Sequence, residues 1–279
     1  MGVSTNSEAL TEFIQSHQPL LVITGAGCSA ASGIPTYRDD CGVWQRSTPI
    51  QHNDFVSSFS SRQRYWTRSL AGWPAVANAK PNACHHALAR LEKLKLCSLL
   101  VTQNVDRLHQ RSGQEKVIDL HGRLDRVHCL DCLLEITRDE MQARLRRLNP
   151  NMNVEDARLA PDGDAEVEDE LIEALLIPDC DNCGGILKPS VVFYGGGVPK
   201  ATVNQITARV NSTAGVLVLG SSLMVFSSFR FCRQAARLNT PITIVNAGST
   251  RADDLASLKI DTACEVLLPE VVRSLKASL

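Results

Sequence analysis

Short apolar runs alternating with helix-length segments predict an α/β protein. Its frame is a doubly wound, parallel, Rossmann-like sheet, with a smaller helical and cysteine-bearing domain inserted. Three observations carry that expectation. Leu20-Leu21-Val22-Ile23-Thr24, Leu99-Leu100-Val101-Thr102, Gly215-Val216-Leu217-Val218-Leu219 and Pro241-Ile242-Thr243-Ile244-Val245 are short and apolar enough to be strands covered on both faces. Small or polar residues follow one strand end after another: Gly25, Gln103-Asn104, His121, Gly220-Ser221-Ser222 and Asn246. In open α/β sheets those ends line the ligand crevice. Residues 126–188 differ in character and hold four cysteines in two pairs.

Taken in order, residues 7–17 read as a helix leading into the first strand. That strand breaks into Gly25-Ala26-Gly27-Cys28-Ser29-Ala30-Ala31-Ser32-Gly33-Ile34-Pro35-Thr36-Tyr37-Arg38. Such a run brings bare backbone N–H groups against a phosphate. Gly25 and Gly27 are expected to use positive φ and admit a close ligand. Ser29, Ala30 and Ala31 start a helix, Gly33 ends it, and Pro35 prevents its resumption. The spacing is not G-x-G-x-x-G, because the third glycine is Gly33, so a tight turn without ligand stays open on spacing alone. Residues 54–95 carry helical periodicity, with an interruption expected at Gly72-Trp73-Pro74. Val117-Ile118-Asp119-Leu120 is a third strand, and Ile186 to Phe193 resumes strand character. The acidic stretch from Glu155 to Glu170 reads as a solvated loop with an exposed helix.

The chain has 279 residues, 44% of them apolar, and a formal net charge of −1. That suits one large domain with a smaller insert and supplies no field for nucleic acid or an acidic membrane. Met1 to Gln18 holds no apolar core of a signal peptide, and no run reaches membrane-spanning length. The ten cysteines therefore belong to a reducing compartment, with cytoplasm as the expectation and the mitochondrial matrix as the alternative.

Cys129-Leu130-Asp131-Cys132 and Cys180-Asp181-Asn182-Cys183 are two knuckles separated by 47 residues. Each turn grips an ion with two sulfurs, so the four thiolates close a tetrahedral zinc shell. A closed shell has no open position for water, which makes the ion structural. His121, at a strand end with Gly122 behind it, is placed as a general base. Asn104 and Asp106 offer an amide and a carboxylate for ribose hydroxyls and a carboxamide, or an Asx turn capping the next helix.

These motifs together resemble the sirtuins. The matching stretches are Gly25-Ala26-Gly27 to Ser32-Gly33-Ile34-Pro35 and Tyr37-Arg38, Thr102-Gln103-Asn104-Val105-Asp106, Leu120-His121-Gly122, both cysteine pairs, Lys188-Pro189 with Val191-Val192-Phe193, Gly220-Ser221-Ser222-Leu223 and Asn246. Pro49 to His52, Arg62 to Trp66, Gly122 to Val127 and Leu159 to Asp164 resemble the class II branch, which includes bacterial enzymes and the mitochondrial sirtuin-four type. The resemblance implies an NAD-dependent protein-lysine deacylase. In that chemistry the acyl-lysine oxygen attacks the nicotinamide ribose, nicotinamide leaves, and a histidine, here His121, acts as base on the ribose hydroxyls. By the same matching Gln103, Asn104 and Asp106 lie at ribose and nicotinamide, and Gly25 to Arg38, including Ser29, Ser32 and Ile34, cover the diphosphate and ribose. Gly220, Ser221, Ser222, Asn246, Ala247, Gly248 and Cys264 border the adenosine half. Val191, Val192 and Phe193 pair with an acyl-lysine peptide by strand addition. Tyr65 and Arg68 match in spacing the pair that reads acidic acyl groups in desuccinylating sirtuins. One departure is Gly196, standing where an acidic residue is usual; with its neighbours it is expected to loosen a substrate loop.

The implied division is a large domain over about 7–40, 96–125 and 186–279, and a small domain over about 41–95 and 126–185. An ADP-ribosyltransferase shares the cofactor and is the alternative function; a hydride-transferring oxidoreductase lacks its glycine fingerprint here. Zinc and NAD are the expected cofactors.

Overall fold

Leu20–Thr24, the first strand, stands near the middle of the main sheet because both its faces are apolar and all five residues are buried. The computed structural model describes residues 3–36, 50–154 and 157–277. Its strands in chain order are β1 (Leu20–Thr24), β2 (Cys97–Thr102), β3 (Val117–Asp119), β4 (Gly122–Cys129), β5 (Glu135–Thr137), β6 (Arg158–Ala160), β7 (Asp164–Glu166), β8 (Leu187–Val191), β9 (Val216–Leu219), β10 (Ile242–Val245) and β11 (Leu258–Ile260). Its helices are α1 (Val3–Ser16), α2 (Gly27–Ala30), α3 (His52–Ser57), α4 (Phe59–Asn78), α5 (Ala83–Lys93), α6 (Leu108–Arg111), α7 (Arg138–Leu148), α8 (Asp169–Ala174), α9 (Lys200–Val210), α10 (Phe226–Arg237) and α11 (Cys264–Ala277).

Six strands form the main sheet in the order β11-β10-β9-β1-β2-β3, all parallel. The direction of winding reverses between β1 and β9, so the crevice expected at such a switch point opens there. Alternation within β1 divides its side chains. Leu20 and Val22 join α1, α5 and α11 through Leu10, Ile14, Leu88 and Leu267. Leu21 and Ile23 join α9 and α10 through Ile206, Val210, Phe231 and Cys232. Helices therefore cover both faces, as the double winding requires.

The second sheet is antiparallel, in the order β5-β4-β8, and packs Val127 and Leu187 against Phe55, Trp66, Leu70, Met141 and Leu145. It begins where the first ends. Gly122 has φ +82°, and a Cβ there would collide with the Ser190 carbonyl oxygen, so only glycine lets β3 turn directly into pairing with β8.

Two expectations are corrected. Gly72-Trp73-Pro74 does not interrupt a helix: α4 runs through it and the break falls at residues 79–82. Pro74 lacks the N–H that would reach the Leu70 carbonyl, and the Gln142 side chain donates to that oxygen instead, at 2.9 Å. Gly72 is a packing requirement, since a Cβ there would strike the Gly163 backbone. In the described part of the acidic stretch, from residue 157, the expected loop is instead a hairpin: β6 and β7 pair against α4, ahead of α8. Among the described residues no helix is long and apolar enough to cross a membrane.

Candidate active site

Gly25, Gly27, Gln103, Asn104, His121, Gly220, Ser221, Ser222, Asn246, Ala247 and Cys264 converge on one cleft of about 750 Å³. All follow the C-terminal ends of main-sheet strands, and the end of β11, which the sequence reading did not resolve as a strand, adds Thr262 to Glu265. A cleft of this size fits a ligand of dinucleotide class.

The glycines serve a different purpose from the one expected. Gly25 and Gly27 do not have positive φ. A Cβ on Gly27 would lie 2.8 Å from the Gly220 Cα, and one on Gly25 would lie 2.7 Å from the Ser221 Cβ. They allow the loops after β1 and β9 to touch at the switch point. The row of bare N–H groups is corrected too. Gly25 donates to the Leu219 oxygen at 3.1 Å and Gly27 to the Gly220 oxygen at 2.9 Å, while Cys28 and Ser29 donate back to Gly25 and Ala26. The remaining wall toward an anion is Ala26, Ala30 and the Ser221 and Ser222 residues, which line the cleft.

Other expected cofactor residues stand behind this wall. Ser32 accepts from Asn82 Nδ2 at 3.0 Å, and Ile34 packs with Ala79 and Leu108. Gly33 does not end the helix as expected: α2 starts at Gly27 and closes at Ala30 with Ala31 as its cap, and Gly33, at φ +83° with its N–H donating to the Ala30 oxygen, ends the turn that follows, with Pro35 just beyond. Gly248 accepts from Lys259 Nζ at 2.8 Å. Asp106 accepts from Ser29 Oγ at 2.6 Å and from the Leu108 N–H at 2.8 Å; it is the Asx turn before α6 and lines a separate cleft. Tyr37 and Arg38 lie outside the described residues.

His121 is the last residue before the second sheet. Its Nδ1 is 3.1 Å from the Gln103 carbonyl oxygen, which only accepts, so Nδ1 carries the proton and Nε2 presents its lone pair. The Ser227 hydroxyl donates to Nε2 at 2.7 Å. Burial lowers the His121 pKa to about 4, opposed by the bond to Gln103, so the ring is a neutral base through the physiological range. Gln103 is held in turn: its Nε2 donates to Ser221 Oγ at 2.8 Å and its Oε1 accepts from Ser228 Oγ at 2.8 Å. Asn104 is buried, and its Nδ2 donates to the Gly25 oxygen and to Ser29 Oγ, each at 3.0 Å. Ser227 and Ser228 escaped the sequence reading. Their only signal is a serine pair after Val225, which reads as an ordinary helix start.

Val191, Val192 and Phe193 also line the cleft. The Val192 N–H is already taken by the His121 oxygen at 2.8 Å, which leaves that donor unavailable to a peptide strand. The Gly196 N–H closes a turn onto the Phe193 oxygen at 2.9 Å, with Gly195 at φ +74°. Tyr65 stacks edge-on to Phe193, with centroids 5.1 Å apart, and Arg68 follows one turn later on the cleft-facing side of α4. Arg68 is paired: Nη2 lies 2.7 Å from Asp164 Oδ2, and Nε donates to the Ala165 oxygen at 2.9 Å.

Away from the cleft, the Sγ atoms of Cys129, Cys132, Cys180 and Cys183 lie within 4.8 Å of one another. Cys129 and Cys183 approach to 3.5 Å, Cys132 and Cys180 to 3.6 Å. A tetrahedral shell with metal–sulfur bonds of about 2.3 Å sets sulfurs about 3.8 Å apart, so the four fit a single zinc ion.

Residues 25–227 match the family model described as Sir2 family. The chain is 50% identical over 264 residues to an "NAD-dependent protein deacetylase" of Xanthomonas campestris pv. campestris (strain 8004), covering 95% of this chain and 90% of that one. It is 46% identical over 272 residues to "NAD-dependent protein deacylase Sirt4" of Drosophila melanogaster, covering 96% and 87%. A solved structure, "Sir2-p53 peptide-NAD+", superposes with TM-score 0.78 at 28% identity, covering 96% of this chain and 97% of that one.

Proposed function

Because the chain belongs to the Sir2 family, we propose that its cleft binds NAD and an acyl-lysine peptide and transfers the acyl group from lysine, with His121 as the base. It is an NAD-dependent protein-lysine deacylase. The observation that carries the residue assignment is the His121 ring: neutral, anchored at Nδ1, and standing on the cleft wall with its lone pair toward a hydroxyl.

NAD supplies the electrophilic ribose carbon and the nicotinamide leaving group. The chain's residues do the rest. Gln103 fixes the tautomer of His121, leaving Nε2, where the Ser227 hydroxyl now donates, as the atom that would accept a proton from a ribose hydroxyl of bound NAD. Asn104 holds the β1 and β2 loops in register through Gly25 and Ser29 at the reacting end. Ala26, Gly220, Ser221 and Asn246 border the dinucleotide. The Cys129, Cys132, Cys180 and Cys183 site holds a structural zinc.

The acyl end favours neutral groups. Phe193, Tyr65 and Val191 offer apolar walls, and the Arg68 cation is matched by Asp164. The apolar stem and neutral head of an acetyl-lysine suit that lining better than a dicarboxylic acyl group. A protein partner follows from the lysine substrate, and bacterial relatives support action in the cytoplasm. The proposed small lobe spans about 41–95 and 126–185: α3, α4, α7 and α8 pack with the second sheet, whereas α5, within the same range, packs against the main sheet.

The test is a panel of acyl-lysine peptides incubated with NAD, with nicotinamide and free lysine both quantified and His121→Ala as the blank. Equal release of the two products is expected, greatest with neutral acyl groups. Nicotinamide release with label passing from NAD to protein and no free lysine would overturn the reading in favour of ADP-ribosyl transfer.

A further inference from the structure

Cys41 lies outside the described residues, and the other nine of the ten cysteines divide unevenly. Four form the knuckles, and Cys97 and Cys232 are buried as small apolar side chains in two different cores. Cys28, Cys84 and Cys264 instead meet. Their Sγ atoms all lie within 4.8 Å of one another, and each residue is at most 2% exposed. The Cys28 and Cys264 sulfurs are 3.6 Å apart, the same separation as Cys132 and Cys180 in the knuckle site.

The three come from separate elements, two of them tied together by one side chain. Cys28 sits in α2, Cys84 in the first turn of α5, and Cys264 opens α11. Asn82 caps α5 by accepting from the Cys84 N–H at 2.9 Å and donates through Nδ2 to the Cys28 oxygen at 2.8 Å. Two of the three backbones are thereby fixed by rigid structure, which is what a preorganised ligand set needs. A carboxylate stands at the edge of the trio, touching one member of it: Glu265 Oε2 accepts from Cys264 Sγ at 3.7 Å. Cys264 and Glu265 line the cleft, giving an ion a route in, while Cys28 and Cys84 stand behind them.

We propose that Cys28, Cys84 and Cys264 form a second, three-thiolate metal site for a thiophilic d10 cation, at the cleft end where Cys264 lies. On binding, each thiol that ligates gives its proton to solvent and a metal–sulfur bond replaces the S–H bond. No oxidant is required. Three thiolates about a dication leave one net negative charge, one fewer than a four-thiolate shell leaves, so burial of the loaded trio costs less. Soft sulfur donors select the class of ion, and hard cations such as magnesium are excluded.

Cadmium(II) is the probe, added to zinc-loaded, thiol-reduced protein and counted by native mass spectrometry. Two ions per chain are expected in the wild type and in Cys232→Ala, one in Cys84→Ala and Cys84→Ser, with circular dichroism confirming that each variant is folded. The sulfur-to-cadmium absorption band should fall in the Cys84 variants by the share of the trio. A single ion in the wild type, or an ion count and band unchanged by both Cys84 substitutions, overturns the site whatever the outcome of the deacylation assay.

Discussion

Ser227→Ala removes one hydrogen bond from the ring on which the chemistry depends, and its consequence has a definite sign. The hydroxyl donates to the Nε2 lone pair at 2.7 Å, so it stabilises the neutral imidazole only. Nδ1 cannot exchange roles, because its partner is the Gln103 carbonyl. In the wild type, burial holds His121 at about 4, below the ordinary value near 6.5, so the acid limb of kcat/KM should lie well under pH 6.5. A neutral hydrogen bond contributes about 0.5–1.5 kcal/mol, and one pKa unit is about 1.4 kcal/mol. Ser227→Ala should therefore raise the acid limb by about 0.4 to 1 pH unit. At pH 7 to 8 the ring is unprotonated in both proteins, so the loss there stays within about tenfold. The assay is initial nicotinamide release against pH at sub-saturating NAD, with His121→Ala subtracted. An acid limb that stays in place, or moves down, would refute the assignment of Ser227 as the donor to a neutral His121. The same shift links to stability: a depressed histidine contributes above pH 6.5, and that contribution is lost as pH falls through about 4.

Removing zinc with a strong chelator should unfold the second sheet, read as loss of amide-exchange protection across β4 and β8 with a lower Tm; a metal-free protein of unchanged Tm would rule the ion out as structural. Gly27→Ala drives a methyl to 2.8 Å from the Gly220 Cα, where only backbone can yield; a cost of about 1–3 kcal/mol in urea unfolding and a raised KM for NAD are expected, and a silent substitution would show that the two loops do not touch. Asp164→Asn removes the carboxylate that pairs with the Arg68 guanidinium and should improve the ratio of glutaryl to acetyl turnover by about ten- to a hundredfold, from charge-assisted bonding of about 1.5–3 kcal/mol; an unchanged ratio would place the acyl head elsewhere.

What the sequence disclosed and withheld has a physical pattern. Strands β1, β2, β9 and β10 are legible because burial on both faces demands unbroken apolar runs. β4 is not, since Gly122–Cys129 buries residues without strict alternation and its partner β8 is nearly sixty residues away. Pro74 misleads because the group that satisfies the Leu70 carbonyl belongs to Gln142, on another helix. In the cleft, strand ends and the knuckle spacing are local signals and were readable. Glycines 25 and 27 were recognised for a reason that local chemistry suggests, whereas their actual constraint is Gly220, which no window of sequence connects to them. Ser227 belongs to the same class: 106 positions separate it from the ring it touches.

His121 stands in the turn between the two sheets, and this explains why a structural ion and a distant base should be coupled. Its ring is tied to the end of β2 through Gln103, while its carbonyl accepts the Val192 N–H just past β8. The next residue turns the chain into β4, whose far end is Cys129. A rigid β4 thus fixes the imidazole from one side and the first zinc ligand from the other. If the ion is lost, the β4–β8 pairing no longer has a clamped end, and the Val192 bond that sets the height of His121 over the cleft weakens with it. Activity should accordingly fall at lower chelator exposure than global unfolding requires, because displacement of one backbone hydrogen bond is enough to misplace a base that must reach within hydrogen-bond distance of its proton.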